Sequence, residues 1–512
     1  MHSFNLIFGF FFAIALFCFV IESQAAWGVE KNEDVSASQS PVSLLSMGDD
    51  ELASDNYHDA ENYYRKGVSL ISDSTDLVIS LSLYVNLGTA LSSSGNNNEA
   101  VDSYISAIAL HDTYAAKQEL SKEEHDITAQ AAFFLGMTYQ DMEKIPPAKA
   151  ADAYALAASL DPRHWSALAN LGAVLYDEIR DYTSAVSAYG AAFKILTEKP
   201  DDGSVPTDPP YNPRPILSQL QYRIGMCVIM KPDQKCAFDN DPSKEHSCKE
   251  VAARAFSLAI KYDDSNVAAK HMLATITADA TMERASNVYI TDLFDQYASN
   301  FEHSLVDELG YDGFARLRRG FDVFFGGSKK VPVFEKVIDA GCGTGLVGEQ
   351  FRNISQHLIG VDLSAKIIEE AKKARPNLYD ETIVGDVISA FQTKKPISLI
   401  VAADSYIYFG DLNPLFHAMS DGMQIGGYIA FTLENVNPEN EESLSVTKPD
   451  WKWQLSASGR FVHRKEYVLS VAKEYSFDLV YYDTLEGFRF ENGIPVRGHL
   501  FIMQKLSSNE EL

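Results

Sequence analysis

The run Val337-Ile338-Asp339-Ala340-Gly341-Cys342-Gly343-Thr344-Gly345 combines residue types that can bind a nucleoside at the tip of a strand. The apolar stretch from Val331 to Ile338 predicts a buried parallel strand, the three alternating glycines a turn, and Leu346 the opening of a helix. A turn of that kind lets a ligand approach backbone amides at a helix N-terminus. A second apolar run, His357 to Val361, ends on Asp362, where a doubly wound sheet holds ribose hydroxyls. Dinucleotide sites more usually read Gly-x-Gly-x-x-Gly. Here the order is Gly-x-Gly-x-Gly and Asp339 precedes it. That carboxylate would repel a pyrophosphate but hold an amino group or a sulfonium, and no basic residue follows the second strand. The ligand these residues point to is S-adenosylmethionine, not a nicotinamide dinucleotide.

The elements that must position these residues follow in order. A helix is expected over Ser364–Ala374, with Ser364 as its N-cap and its charged face in solvent. Further strands are expected at Thr382–Val384 before Asp386, Ile397–Ala403 before Asp404, and Gly427–Leu433 before Glu434. Phe477–Tyr482 and Gly498–Met503 complete a set of seven. Continuously apolar strands alternating with helices imply a covered parallel sheet. Upstream, Asn287 to Gly320 reads as helical and amphipathic, carrying Tyr289, Phe294, Tyr297 and Phe301.

The N-terminal half has a different periodicity. Gly88, Leu91, Ala100, Tyr104 and Ala107 recur in type and offset as Gly136, Tyr139, Ala150, Tyr154 and Ala157, then as Gly172, Leu175, Ala185, Tyr189 and Ala192. A fourth copy, Gly225 with Ala252, Phe256 and Ala259, is split by an insertion, and Ala60 with Tyr64 forms a degenerate half-repeat. Small residues let paired helices approach closely and aromatics fill the gap between hairpins. These offsets resemble the tetratricopeptide repeat, with loops inserted at Gln118–His125, Pro200–Pro215 and Lys231–Lys249. Such an array implies a protein or peptide partner on its concave face, or a brace for the second domain.

Composition sets the outer limits. A chain of 512 residues exceeds one hydrophobic core, and a formal net charge of −28 leaves no basic face for nucleic acid. The short basic run Arg316–Arg319 reads as a solvated helix face. Asn5 to Ile21 is apolar and is followed by Ser23 and Ala25, small residues suited to signal peptidase. A cleaved leader into the secretory pathway, an organelle lumen or the extracytoplasmic space is therefore expected, a retained membrane anchor being the alternative. Cys227, Cys236 and Cys248 allow one disulfide in an oxidising compartment, and their spacing does not suit a metal. The organisation expected is a leader or anchor over 1–25, a linker over 26–50, a helical repeat domain over 51–282 and a nucleoside-binding domain over 283–512. The fold class is α + α/β, an α-solenoid followed by a Rossmann-like seven-stranded domain.

Residues from about 285 to 506 closely resemble the class I S-adenosylmethionine-dependent methyltransferases, and with the repeats resemble tetratricopeptide-repeat methyltransferase proteins. The likeness is closest in Tyr297–Glu302, Val401–Leu412 and Arg489–Gly498. It implies that Gly341, Cys342, Gly343 and Gly345 pack under the methionyl part of the cofactor, with Asp339 near its amino end. Asp362 would take the ribose hydroxyls and Leu363 would lie on adenine. Asp386 and Val387 would contact the adenine edge, and Ala403 and Asp404 would border the methyl group. Tyr297 and Phe301 would close over the sulfonium. Cys342 reads as a small packing residue.

The acceptor, a small molecule or a protein, needs in-line alignment and, if it carries a proton, a base. Asp404 is the first candidate, then Tyr408, Glu434 and His463. Trp451 and Trp453 would either wall the acceptor pocket or pin their loop. The alternative to an enzyme is a scaffold that keeps the cofactor-binding fold without turnover.

Overall fold

The computed structural model describes residues 40–507 apart from 143, 199–211, 231–234, 238–244, 278–281, 299–300, 437–449, 457 and 492–493. The expected leader and most of the expected linker lie outside the described residues. Contacts divide the chain into two units, Met1–Ala269 and Lys270–Leu512. The break falls slightly before the expected domain boundary at 282/283. No helix among the described residues is long and apolar enough to cross a membrane.

The first unit is built of antiparallel helical hairpins. Pro41–Leu52 pairs with Tyr57–Ser69, Leu77–Ser93 with Asn97–Ala115, and Lys122–Asp141 with Pro147–Leu160. Trp165–Val174 pairs with Tyr182–Thr197, and Arg214–Ile229 with Cys248–Tyr262. Each marker glycine faces an aromatic ring of its partner helix. A Cβ on Gly88, Gly136, Gly172 or Gly225 would lie 2.5, 2.7, 2.8 or 2.6 Å from Tyr104, Tyr154, Tyr189 or Phe256. Gly48 meets Tyr64 in the same way, at 2.3 Å. The half-repeat is thus a full hairpin, and its first helix occupies the end of the stretch expected as linker.

Two expected insertions are shorter than anticipated. Ser121 caps a helix from Lys122 through a reciprocal bond with Glu124, so Lys122–His125 is helical. Pro215 lies in the first turn of Arg214–Ile229, where its missing N–H costs nothing. The third insertion contains a short antiparallel pair, β1 (Lys235–Ala237) and β2 (Glu245–Ser247). Cys248 is disulfide-bonded, whereas Cys227 and Cys342 are thiols.

The second unit is a twisted mixed sheet between helices. Its strands are β3 (Phe334–Ala340), β4 (Ser355–Asp362), β5 (Glu381–Val384), β6 (Ile397–Ala402) and β7 (Met423–Glu434). Two short strands, β8 (Trp453–Leu455) and β9 (Phe461–His463), precede a long hairpin of β10 (Phe477–Glu491) and β11 (Ile494–Lys505). The order is β10-β11-β7-β6-β3-β4-β5, with β8 and β9 beside β7. From β5 to β7 the strands are parallel, while β11 and β10 run antiparallel. The sheet is therefore mixed and not wholly parallel as expected. The tight hairpin closing the chain has no crossover helix, and such a connection joins only antiparallel strands.

Alternate strand residues enter different layers. Ile338, Ile359 and Ile400 join Phe391, Phe416 and Val468, whereas Val337, Leu358 and Leu399 join Leu317, Phe321 and Phe351. Both faces are covered, which is why these strands read as unbroken apolar runs. After β3 the chain winds outward through β4 and β5, then returns to β6 on the other side of β3. A crevice is expected beyond the strand ends at that reversal. Of the basic run expected as a solvated face, Arg319 is exposed, but Arg316 bonds Asp312 and the Glu486 carbonyl, and Arg318 is buried and bonds Asp322, the Gln350 carbonyl and Asn353.

Candidate functional site

The reversal between β3 and β6 brings the glycine turn against the loop after β6. Gly341 has φ +73°, and a Cβ there would lie 2.4 Å from Ser405 Cβ. Ser405 Oγ in turn donates to the Ala340 carbonyl at 2.8 Å. Gly343 and Gly345 also have positive φ, and Gly345 precedes the helix Leu346–Phe351. Only glycine takes such a succession of left-handed angles without strain.

Asp339 lies beneath this turn and is fully buried. Its Oδ2 accepts from the Tyr379 hydroxyl at 2.6 Å, while Oδ1 is buried without a hydrogen-bond partner. Burial drives its pKa up to about 7, against the Tyr379 hydrogen bond and the neighbouring Gly348 amide, and reinforced by the charge of Asp362. Asp362, at the end of β4, accepts from the Gly343 amide at 3.0 Å and the Ser364 amide at 3.0 Å. A carboxylate has about four acceptor positions, so two backbone bonds leave capacity for hydroxyls. Leu363 beside it is half-buried. Cys342 is buried and burial holds its thiol well above the ordinary range, consistent with a packing residue.

Asp386 is more fully committed than the resemblance implies. Its Oδ1 caps the helix Val387–Thr393 through the Ile388 amide, and its Oδ2 accepts from Arg284 at 2.5 Å and Asn287 at 3.0 Å. Burial opposes it, but hydrogen bonds from Asn287 and Ile388 and the Arg284 charge hold its pKa below the usual value. Arg284 also stacks over the Phe409 ring at 4.2 Å. Val387 opens that helix and packs against the core beside β4.

The segment before the sheet lies over the turn. Tyr297 ends the helix Asn287–Tyr297, and its side chain is outside the described residues. Phe301 packs edge-on against Phe294, and a Cβ on Gly343 would lie 3.3 Å from its ring. Glu302 pairs with Arg375, which also donates to the Thr344 carbonyl. Ser364 Oγ donates to Asp295 at 2.5 Å.

Of the expected catalytic candidates, Asp404 and Glu434 are joined through Arg489, whereas His463 is engaged elsewhere. Ala403 and Asp404 follow β6, and Asp404 holds φ +58°, a left-handed angle unusual for a residue with a side chain. Both its carboxylate oxygens accept from Arg489 Nη1 at 2.5 Å. Arg489 is fully buried on β10 and its Nη2 donates to Glu434 at the end of β7. Tyr408 is buried and burial raises its pKa. His463 does not fit a base: it is fully buried, its Nε2 pairs with the Gly410 carbonyl at 3.1 Å, and burial lowers its pKa to about 3. Trp453 packs against Gly410 and Phe461 and donates to the Met282 carbonyl, and Trp451 is buried with Val436 and Val462. Both tryptophans pin the loop.

Sequence reasoning passed over Arg489, Arg284 and Tyr379. Arg489 had a signal in its neighbours Phe488 and Phe490, since an arginine drawn into an apolar core has to find buried carboxylates. Among the described residues no group of His, Cys, Asp and Glu is arranged to hold a metal.

The strand order, with the glycine turn at its reversal, defines a nucleoside-binding domain of the class I methyltransferase kind. Residues 337–427 match the family model for a methyltransferase domain, and residues 81–111 that for a tetratricopeptide repeat. Curated proteins contain no match. Solved structures with similarity include an S-adenosylmethionine-dependent methyltransferase from Clostridium acetobutylicum (15% identity, 42% of this chain and 100% of that one, TM-score 0.30). Another is the N-methyltransferase NodS from Bradyrhizobium japonicum with S-adenosyl-L-homocysteine (16% identity, 43% and 99%, TM-score 0.32). A third is magnesium protoporphyrin IX methyltransferase from Synechocystis (11% identity, 43% and 100%, TM-score 0.32).

The chain thus carries a region matching a tetratricopeptide repeat and a region matching a methyltransferase domain, and the cofactor expected from its sequence is S-adenosylmethionine. The residues present fit that cofactor: a glycine cradle, and beneath it a buried carboxylate with one unpartnered oxygen.

Proposed function

We propose that this protein transfers a methyl group from S-adenosylmethionine to a small-molecule or protein acceptor by in-line displacement. The observation that carries this reading is the glycine turn over Asp339 at the sheet reversal, with Asp362 bonded to the same turn. Asp339 would hold the amino end of the cofactor, Asp362 its ribose, and Leu363 and Val387 its adenine. Gly341, Cys342, Gly343 and Gly345 would pack beneath the methionyl part, with Phe301 and Tyr297 excluding water above. The cofactor supplies an activated methyl group, so the protein's part is to align the acceptor. Asp404 is the polar group best placed for that. The repeat region is proposed to bind a partner protein or peptide, or to present the acceptor.

The compartment proposed is the secretory pathway, an organelle lumen or the extracytoplasmic space. The apolar run Asn5–Ile21 and the disulfide at Cys248 support it.

The test is calorimetry of the folded full-length chain with S-adenosylmethionine and S-adenosylhomocysteine. A panel of carboxylic acids, amines, phenols, thiols and peptides is then assayed by S-adenosylhomocysteine release. Binding of both nucleosides is expected; no heat with either refutes the proposal.

A further inference from the structure

The acceptor end of the domain contains an ion cluster that the binding of cofactor does not require. Arg489 is 0% exposed, although it projects from β10, a strand at the sheet edge. Its guanidinium reaches two carboxylates on different loops, Asp404 after β6 and Glu434 at the end of β7. Arg460 approaches Glu434 at 3.9 Å, and Tyr408 and Tyr311 are buried nearby, the Tyr311 hydroxyl without a hydrogen-bond partner. The charges of Asp404 and Arg489 both act on Tyr311, whose pKa burial raises first.

A buried arginine bonded to carboxylates is often no more than a structural tie, and it is weak evidence even for stability. The backbone of Asp404 adds a second, independent observation. Its left-handed φ of +58° is uncommon for a residue with a Cβ, although aspartate tolerates it better than most, and such angles gather at functional sites where the surroundings impose them. Two bonds impose it here: the Asp404 amide donates to Thr432 Oγ1 at 2.9 Å, and the side chain is drawn to Arg489 from the opposite end. The next residue, Ser405, fills the space that Gly341 leaves open.

We propose that Arg489 is a positioning residue for methyl transfer. It holds both oxygens of Asp404 beside the position of the methyl group, so that Asp404 orients an acceptor N–H or O–H by accepting its hydrogen bond and does not remove the proton. Glu434 is the counterweight that aims the other arm of the guanidinium. This inference rests on the methyltransferase reading above.

The test uses the full-length chain with Arg489→Gln, Arg489→Lys and the double variant Arg489→Gln/Glu434→Gln. The double variant removes one charge of each sign and covers a failure of the single variant to fold. Crystal structures with S-adenosylhomocysteine are expected to show Asp404 leaving the left-handed region in the Gln variants and remaining near it in Arg489→Lys. Affinity for S-adenosylhomocysteine is expected within about threefold of wild type, while transfer to a panel acceptor falls about 100-fold in kcat. Asp404 unmoved in the Gln variants with affinity intact overturns the assignment of Arg489 alone. Absence of nucleoside binding by the wild-type protein overturns the methyltransferase reading instead.

Discussion

If Asp339 receives the amino group of the methyl donor, binding of the donor must be coupled to a proton near neutral pH. Burial has raised this carboxyl from 3.8 to about 7, and its Oδ1 has no partner. Only the ionised form attracts an ammonium group, and apparent affinity scales with the competent fraction. At pH 5 about 1% is ionised and at pH 7 about half, so the apparent Kd should weaken about 50-fold between them, or about 2.3 kcal/mol. Above about pH 8 the donor's own α-amino group loses its proton and affinity should fall again.

Calorimetry with S-adenosylhomocysteine at pH 5 to 8.5, in buffers of differing ionisation enthalpy, reads both the affinity and the proton released. Release should approach one proton per molecule bound near pH 6. Asp339→Asn should bind about 10- to 100-fold more weakly at pH 7.5 and lose the acid-side dependence, as expected when a charged hydrogen bond is removed. Tyr379→Phe should move the midpoint upward, because the lost hydrogen bond favours the anion. A constant Kd from pH 5 to 7.5, or an unchanged acid limb in Asp339→Asn, would refute the assignment of Asp339 to the amino end.

Other consequences are simpler to test. Gly341→Ala places a Cβ 2.4 Å from Ser405 at φ +73°, so nucleoside binding should fall at least about 10-fold and the thermal midpoint should drop. Gly136→Ala presses on the Tyr154 ring and should destabilise the repeat region by about 1–3 kcal/mol, read in urea, with nucleoside affinity unchanged. His463, His499 and His164 are buried with pKa values lowered to about 3, 4 and 4. The unfolded chain takes up protons that these rings refuse, so their contribution to stability is lost progressively as pH falls from about 6.5 to 3. Asp339 has the opposite slope, its folded form favouring the proton between about pH 4 and 7. His463→Gln should therefore lower the acid sensitivity of unfolding without moving the midpoint of nucleoside binding.

The sequence by itself determined the periodic features. Alternation of apolar residues in strands covered on both faces, the glycine turn, Ser364 as a cap and the glycine–aromatic offsets of the repeats are local patterns that physics reads without knowing what lies opposite. Even there, a marker outside the expected domain, Gly48, was found only once its contact with Tyr64 was placed. The tertiary structure decided every question that depends on a partner distant in the chain. Asp404 reads as a base until Arg489, 85 residues away, is seen to hold both its oxygens. His463 reads as reactive until burial against Gly410, 53 residues earlier, fixes it neutral. A side chain's chemistry follows from its solvation and its nearest charges, and long-range folding sets both.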